Sequence, residues 1–104
     1  MTKPADAAVP NRIYGFCWFK RETYADSRAA MSDPENLFDT FDEWLAAARK
    51  VEREVTAQGG KVVRIRFDLA AFLLWCVSHG RLPDEQARAN WAAAEARKRF
   101  GTRA

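Results

Sequence analysis

The chain has 104 residues, enough for one domain and too few for two. Its 48% hydrophobic and 30% charged residues exclude a disordered tail, a collagen-like fibre and a mucin-like stalk. Seventeen Lys and Arg against 14 Asp and Glu leave a net charge of +3, too little by itself to argue for nucleic acid.

The first eleven residues carry Pro4, Pro10 and small polar groups. They are expected to form a flexible arm ahead of one compact domain over residues 12–104. They lack the apolar core of a signal peptide, so a cytoplasmic protein is expected. Residues 13–19 are short, aromatic and uncharged, which predicts a strand. Alternation sends Ile13, Gly15, Cys17 and Phe19 to one face and Tyr14, Phe16 and Trp18 to the other. Residues 20–32 have helical composition, with Tyr24, Arg28 and Met31 on one side. Pro34 ends that helix, because the residue before a proline is pushed out of helical geometry.

Thr40 followed by Glu43 is a capping box: each side chain satisfies the other residue's free backbone N–H. Phe41, Trp44, Leu45, Ala48, Val51 and Val55 then recur at helical spacing, and Gly59-Gly60 closes the helix. Residues 61–67 form a second strand, with Val63, Ile65 and Phe67 opposite Val62, Arg64 and Arg66. Asp68 caps a helix over residues 69–79 that is apolar nearly all round, and this predicts a central, buried element. Its apolar run is far shorter than the roughly 20 residues of a membrane span. Pro83 and Asp84 open a last helix reaching Phe100, where Ala87, Trp91 and Ala94 make a narrow seam.

The order is β-α-α-β-α-α. Two helices between the strands are expected to reverse the chain. The predicted fold class is therefore α+β, a two-stranded antiparallel sheet with about four helices packed mainly on one side. The predicted core holds Phe19, Trp44, Leu45, Val63, Ile65, Phe67, Phe72, Leu73 and Trp75.

Tyr24, Asp33, the run Thr40-Phe41-Asp42-Glu43-Trp44-Leu45, Gly59 or Gly60 before Val62-Val63-Arg64-Ile65, Phe72, Trp75-Cys76, Gly80 and Arg88-Ala89 give a pattern over roughly residues 13–100. It resembles a family of small uncharacterised bacterial proteins with no assigned function. The resemblance implies a compact cytosolic α+β domain and carries no catalytic residue over.

Charge is uneven. Residues 1–60 carry 8 basic and 10 acidic groups, and residues 61–104 carry 9 and 4. Opposite ends of two copies would attract across a homodimer, or steer a charged partner. The helix macrodipole also accounts for acids at helix starts and bases at helix ends.

Cys76 and His79, three apart on one helix, point the same way. As an enzyme, the chain would have to use them, with Cys17 as a third candidate ligand for a metal. A single histidine and an apolar helix argue against both metal and thiol chemistry, so no cofactor, no metal and no catalytic residue is assigned. The carboxylates Asp39, Asp42 and Glu43 are explained by capping. The interaction surface is assigned to Tyr14, Phe16, Trp18, Arg64 and Arg66. If the strands pair, three rings and two guanidinium groups share one face. Such a face, or a strand edge, suits a second copy of the chain or another protein. The alternative is single-stranded nucleic acid stacked on the rings. The leading expectation is a small non-enzymatic accessory or interaction domain that self-associates, with no membrane partner.

Overall fold

The aromatic run near the N-terminus forms strand β1, Ile13–Trp18. A computed structural model describes residues 11–100, so the expected N-terminal arm lies almost wholly outside the described residues. After β1 come a 3-10 turn at Arg21–Thr23 and helix α1, Tyr24–Ala29. With the 3-10 turn that runs into it, this helix covers residues 21–29 of the 20–32 its composition suggests. The chain leaves it early to bond Pro83: the Ser32 N–H and hydroxyl both donate to that carbonyl, at 2.9 and 3.2 Å. A second 3-10 turn, Pro34–Asn36, leads into helix α2, Phe41–Ala57. Strand β2 is Lys61–Arg66, helix α3 is Leu69–Ser78 and helix α4 is Glu85–Phe100.

The two strands are parallel, with Ile13 beside Lys61 and Trp18 beside Arg66. The antiparallel expectation is thus corrected, and the reason is helix length. α1 spans only about 9 Å and stays at the end where β1 finishes. Its Tyr24 packs edge-on against Phe19 there, with ring centroids 5.4 Å apart. Only α2 travels back: Trp44 near its start packs on Trp18, and Val55 near its end packs beside Gly60 at the start of β2. One crossing returns the chain to where it began, so the second strand repeats the direction of the first.

The helices cover both faces, which corrects the expected one-sided packing. α4 lies on the face of Gly15 and Cys17: a Cβ on Gly15 would fall 2.5 Å from the Ala92 carbonyl oxygen. α2 lies on the opposite face, where Trp18 meets Trp44 and Arg64 meets Glu52.

Phe19, Trp44, Ile65, Phe67 and Phe72 are buried as expected, joined by Tyr24, Val55, Cys76, Trp91, Ala92 and Ala96. Leu45, Val63, Leu73 and Trp75 pack half-buried against them. Helix α3 corrects another expectation. Only Phe72 and Cys76 are buried, while Leu74 and Val77 are 70% and 78% exposed. No helix among the described residues is long and apolar enough to cross a membrane.

The predicted caps are present. The Thr40 hydroxyl accepts from the Glu43 N–H at 3.1 Å, and the Glu43 carboxylate accepts from the Thr40 N–H at 3.3 Å. Asp68 accepts from the Ala71 N–H at 3.0 Å. The box removes two unpaired donors from the helix that crosses the sheet. Thr40→Ala is expected to lower stability by about 1 kcal/mol, read as a shift of the urea midpoint at unchanged slope. A shift indistinguishable from zero would show that the helix start is held by packing alone.

Candidate interaction site

In a parallel pair each residue points both its N–H and its C=O to the same side, and neighbours alternate. The Lys61 N–H donates to the Arg12 carbonyl, and the Phe67 N–H to the Trp18 carbonyl. The even-numbered residues of β1 therefore face β2. Ile13, Gly15, Cys17 and Phe19 turn their backbone groups to the outer edge. Among the described residues no backbone bond reaches that edge.

An open groove of about 370 Å³ runs along it. Its floor is the chain from Gly15 to Phe19. One wall is α2, through Trp44, Ala48 and Val51, and the other is α4, through Arg88, Ala89 and Ala92. The turn carrying Leu37 and Phe38 closes one end, and Phe38 is 48% exposed. Beyond Gly15 a second hollow continues the edge between Arg12 and Ile13 and the α4 residues Ala93 and Arg97.

The wall made by α4 is held by a buried ion pair. Arg88 donates to Asp33 at 3.0 Å, and both residues are under 10% exposed. Asp33 also accepts from the Asn36 side chain at 3.1 Å and from the Glu85 N–H at 2.9 Å. Burial alone would raise the Asp33 pKa; the three hydrogen bonds and the Arg88 charge outweigh it and hold the carboxyl below its ordinary value.

The five residues assigned from the sequence do share one face, since Phe16 pairs with Arg64 and Trp18 with Arg66. That face lies under α2. Tyr14, Phe16 and Trp18 are half-buried. The Arg64 guanidinium sits 4.0 Å over the Trp18 ring and makes two hydrogen bonds to Glu52, at 2.9 and 2.8 Å. Those bonds hold the Glu52 carboxyl below its usual range. Arg66 stays exposed beside Lys20 at the strand ends. The open groove thus lies along the edge of β1. Phe16 and Trp18 reach the groove, while Arg64 is committed to α2.

Sequence reasoning passed over Gly15, Ala48, Ala89 and Ala92 as site residues. One signal was available: a glycine inside a strand often marks close approach of another backbone.

The thiols are quiet. Burial pushes Cys17 up to about 12, against a smaller opposing pull from Arg88, whose carbonyl its sulfur contacts at 3.4 Å. Burial also raises Cys76. Both cysteines are free. His79 turns away from Cys76: its Nδ1 lies 2.8 Å from the Trp75 carbonyl and its ring stacks on that indole at 4.2 Å. Among the described residues no three His, Cys, Asp or Glu side chains gather as a metal site.

Compared with protein-family models, curated proteins and solved structures, the chain matches none.

Proposed function

We propose that the protein is a small accessory domain that binds protein, without chemistry of its own, and that its working surface is the outer edge of β1 with the groove beside it. One observation carries this reading. Among the described residues the outward backbone groups of Ile13, Gly15, Cys17 and Phe19 have no backbone partner, and those from Gly15 on lie in an apolar cleft between two helices. An added strand would satisfy those donors and acceptors and seat its side chains against Ala48, Ala89 and Phe38. Exposed edges are ordinarily guarded by lysine, proline or inward charges. Residues 13–19 contain no charged residue and no proline. Two strands are also the fewest that make a sheet, and such ribbons gain stability when extended.

Binding suits the quiet thiols better than catalysis does, because a buried, protonated sulfur is a poor nucleophile. Stacking of nucleic acid is the weaker alternative. It needs open ring faces and free guanidinium groups, whereas Arg64 covers Trp18 and is held by Glu52.

A synthetic peptide spanning residues 12–20 tests the edge. Titrated into dilute isotope-labelled protein, it is expected to shift the Gly15, Cys17 and Phe19 amides saturably, with Ala89 and Ala92 following. No saturable shift up to about millimolar peptide, or shifts confined to α3, would overturn the reading.

A further inference from the structure

Resting on the edge reading above, we infer that the occupant of the edge is a second copy of the chain. A two-fold axis would set β1 antiparallel to the partner's β1 and α4 antiparallel to the partner's α4.

The positions of α4 that border the edge carry the inference. Glu85, Ala89, Ala93 and Arg97 are spaced four apart, so they form one row along the helix. Glu85 and Ala89 line the groove beside the end of β1, and Ala93 and Arg97 line the hollow beside its start. The row therefore borders the edge along its length. It reads acid, small, small, base. Turned about its midpoint, level with Trp91, it becomes its own complement. Glu85 of one protomer meets the partner's Arg97, and Ala89 meets the partner's Ala93. Alanines let two helices come close, while the charges fix which way they run. Glu85 and Arg97 are exposed, and among the described residues neither side chain has an ion-pair partner.

The strand asks for the same axis. The outward residues Ile13, Gly15, Cys17 and Phe19 are symmetric about Phe16. Gly15 rests between Ala92 and Ala96, and the Cys17 sulfur reaches the Arg88 carbonyl. Phe16 therefore stands level with the turn holding Trp91 and Ala92. The centre of the strand edge and the centre of the charge row coincide, so one rotation serves both. The same rotation brings Phe38, at one end of the edge, toward the partner's Phe100 at the other; both residues are about half exposed, at 48% and 52%. A two-fold arrangement uses both copies of the β1 edge and stops there, whereas head-to-tail addition would leave one β1 edge open each time. The product is a four-stranded sheet with the two β1 strands at its centre.

Charge reversal tests the register. Glu85→Arg sets two positive groups opposite each other at both symmetric contacts, and Arg97→Glu sets two negative ones. Each variant alone is expected to self-associate roughly tenfold more weakly than wild type in sedimentation velocity at low salt. An equimolar mixture of the two is expected to recover association, because every contact in the mixed dimer joins opposite charges. The double variant is expected to recover it as well. Circular dichroism and urea midpoints verify that each variant is folded. If wild type associates but the reversals and their mixture leave the constant unchanged, the two-fold register is wrong and the edge reading stands on its peptide titration. If wild type stays monomeric at several hundred micromolar, the second copy is excluded as occupant. The same titration then decides the edge separately.

Discussion

Arg88→Met is expected to destabilise the protein by about 3–5 kcal/mol, the cost of leaving one charge of a buried pair without its partner. A domain of this size holds a total stability of roughly 5–15 kcal/mol, so most of a modest reserve would go. The pair does more than cancel charge. Asp33 ties the start of α4, through the Glu85 N–H, to the turn that carries Leu37 and Phe38. Losing Arg88 loosens both the wall and the end of the groove. Urea denaturation followed by tryptophan fluorescence measures the effect, and a loss below about 1 kcal/mol would show that the pair is solvated and dispensable. Acid gives an independent reading. Asp33 is held below its ordinary value of 3.8, so its contribution is complete above that value and fades as the pH drops below it toward the lower folded value. Wild type should therefore lose stability below about pH 4 more steeply than Asp33→Asn, which has no carboxyl to protonate.

Gly15→Val is expected to cost about 3 kcal/mol, at the upper end of the penalty for overpacking. A Cβ at this position would lie 2.5 Å from the Ala92 carbonyl oxygen and 2.9 Å from the Ala96 Cβ. The first obstacle is helix backbone, which has no rotamer to change, so α4 would have to lift off the strand. Gly15→Ala should cost less, because alanine adds one carbon and also narrows the unfolded ensemble. Thermal melts of the two variants check the order. A Gly15→Val protein as stable as wild type would mean that α4 does not sit on β1 as described.

The elements defined by local chemistry were legible in the residues. Thr40 with Glu43 and Asp68 before its helix act within one turn, and each is where the pattern puts it. Strand direction was not legible. It depends on which of two helices crosses the sheet, and α1 is cut short by the distant Ser32–Pro83 contact that no local pattern announces. The apolar composition of α3 said that it could be buried, and could not say that the fold covers only the side of Phe72 and Cys76. The aromatic and arginine face was read correctly as one face. Its cover was missed because the Glu52–Arg64 pair joins α2 to β2 through two residues that look like ordinary surface charges. A strand edge was in view as a docking surface, but not which one: a strand becomes an edge through what the rest of the chain leaves beside it.

The central claim is that, among the described residues, β1 carries bonded groups on the side of β2 and unbonded groups on the other. Amide hydrogen exchange in dilute protein tests this residue by residue. The expected result is protection at Phe16 and Trp18, which face β2, with Gly15 and Cys17 exchanging at least about a hundredfold faster, and slowing as the protein is concentrated. Equal protection of all four amides at the lowest concentration would contradict it, because the outer edge would then already be closed within a single chain.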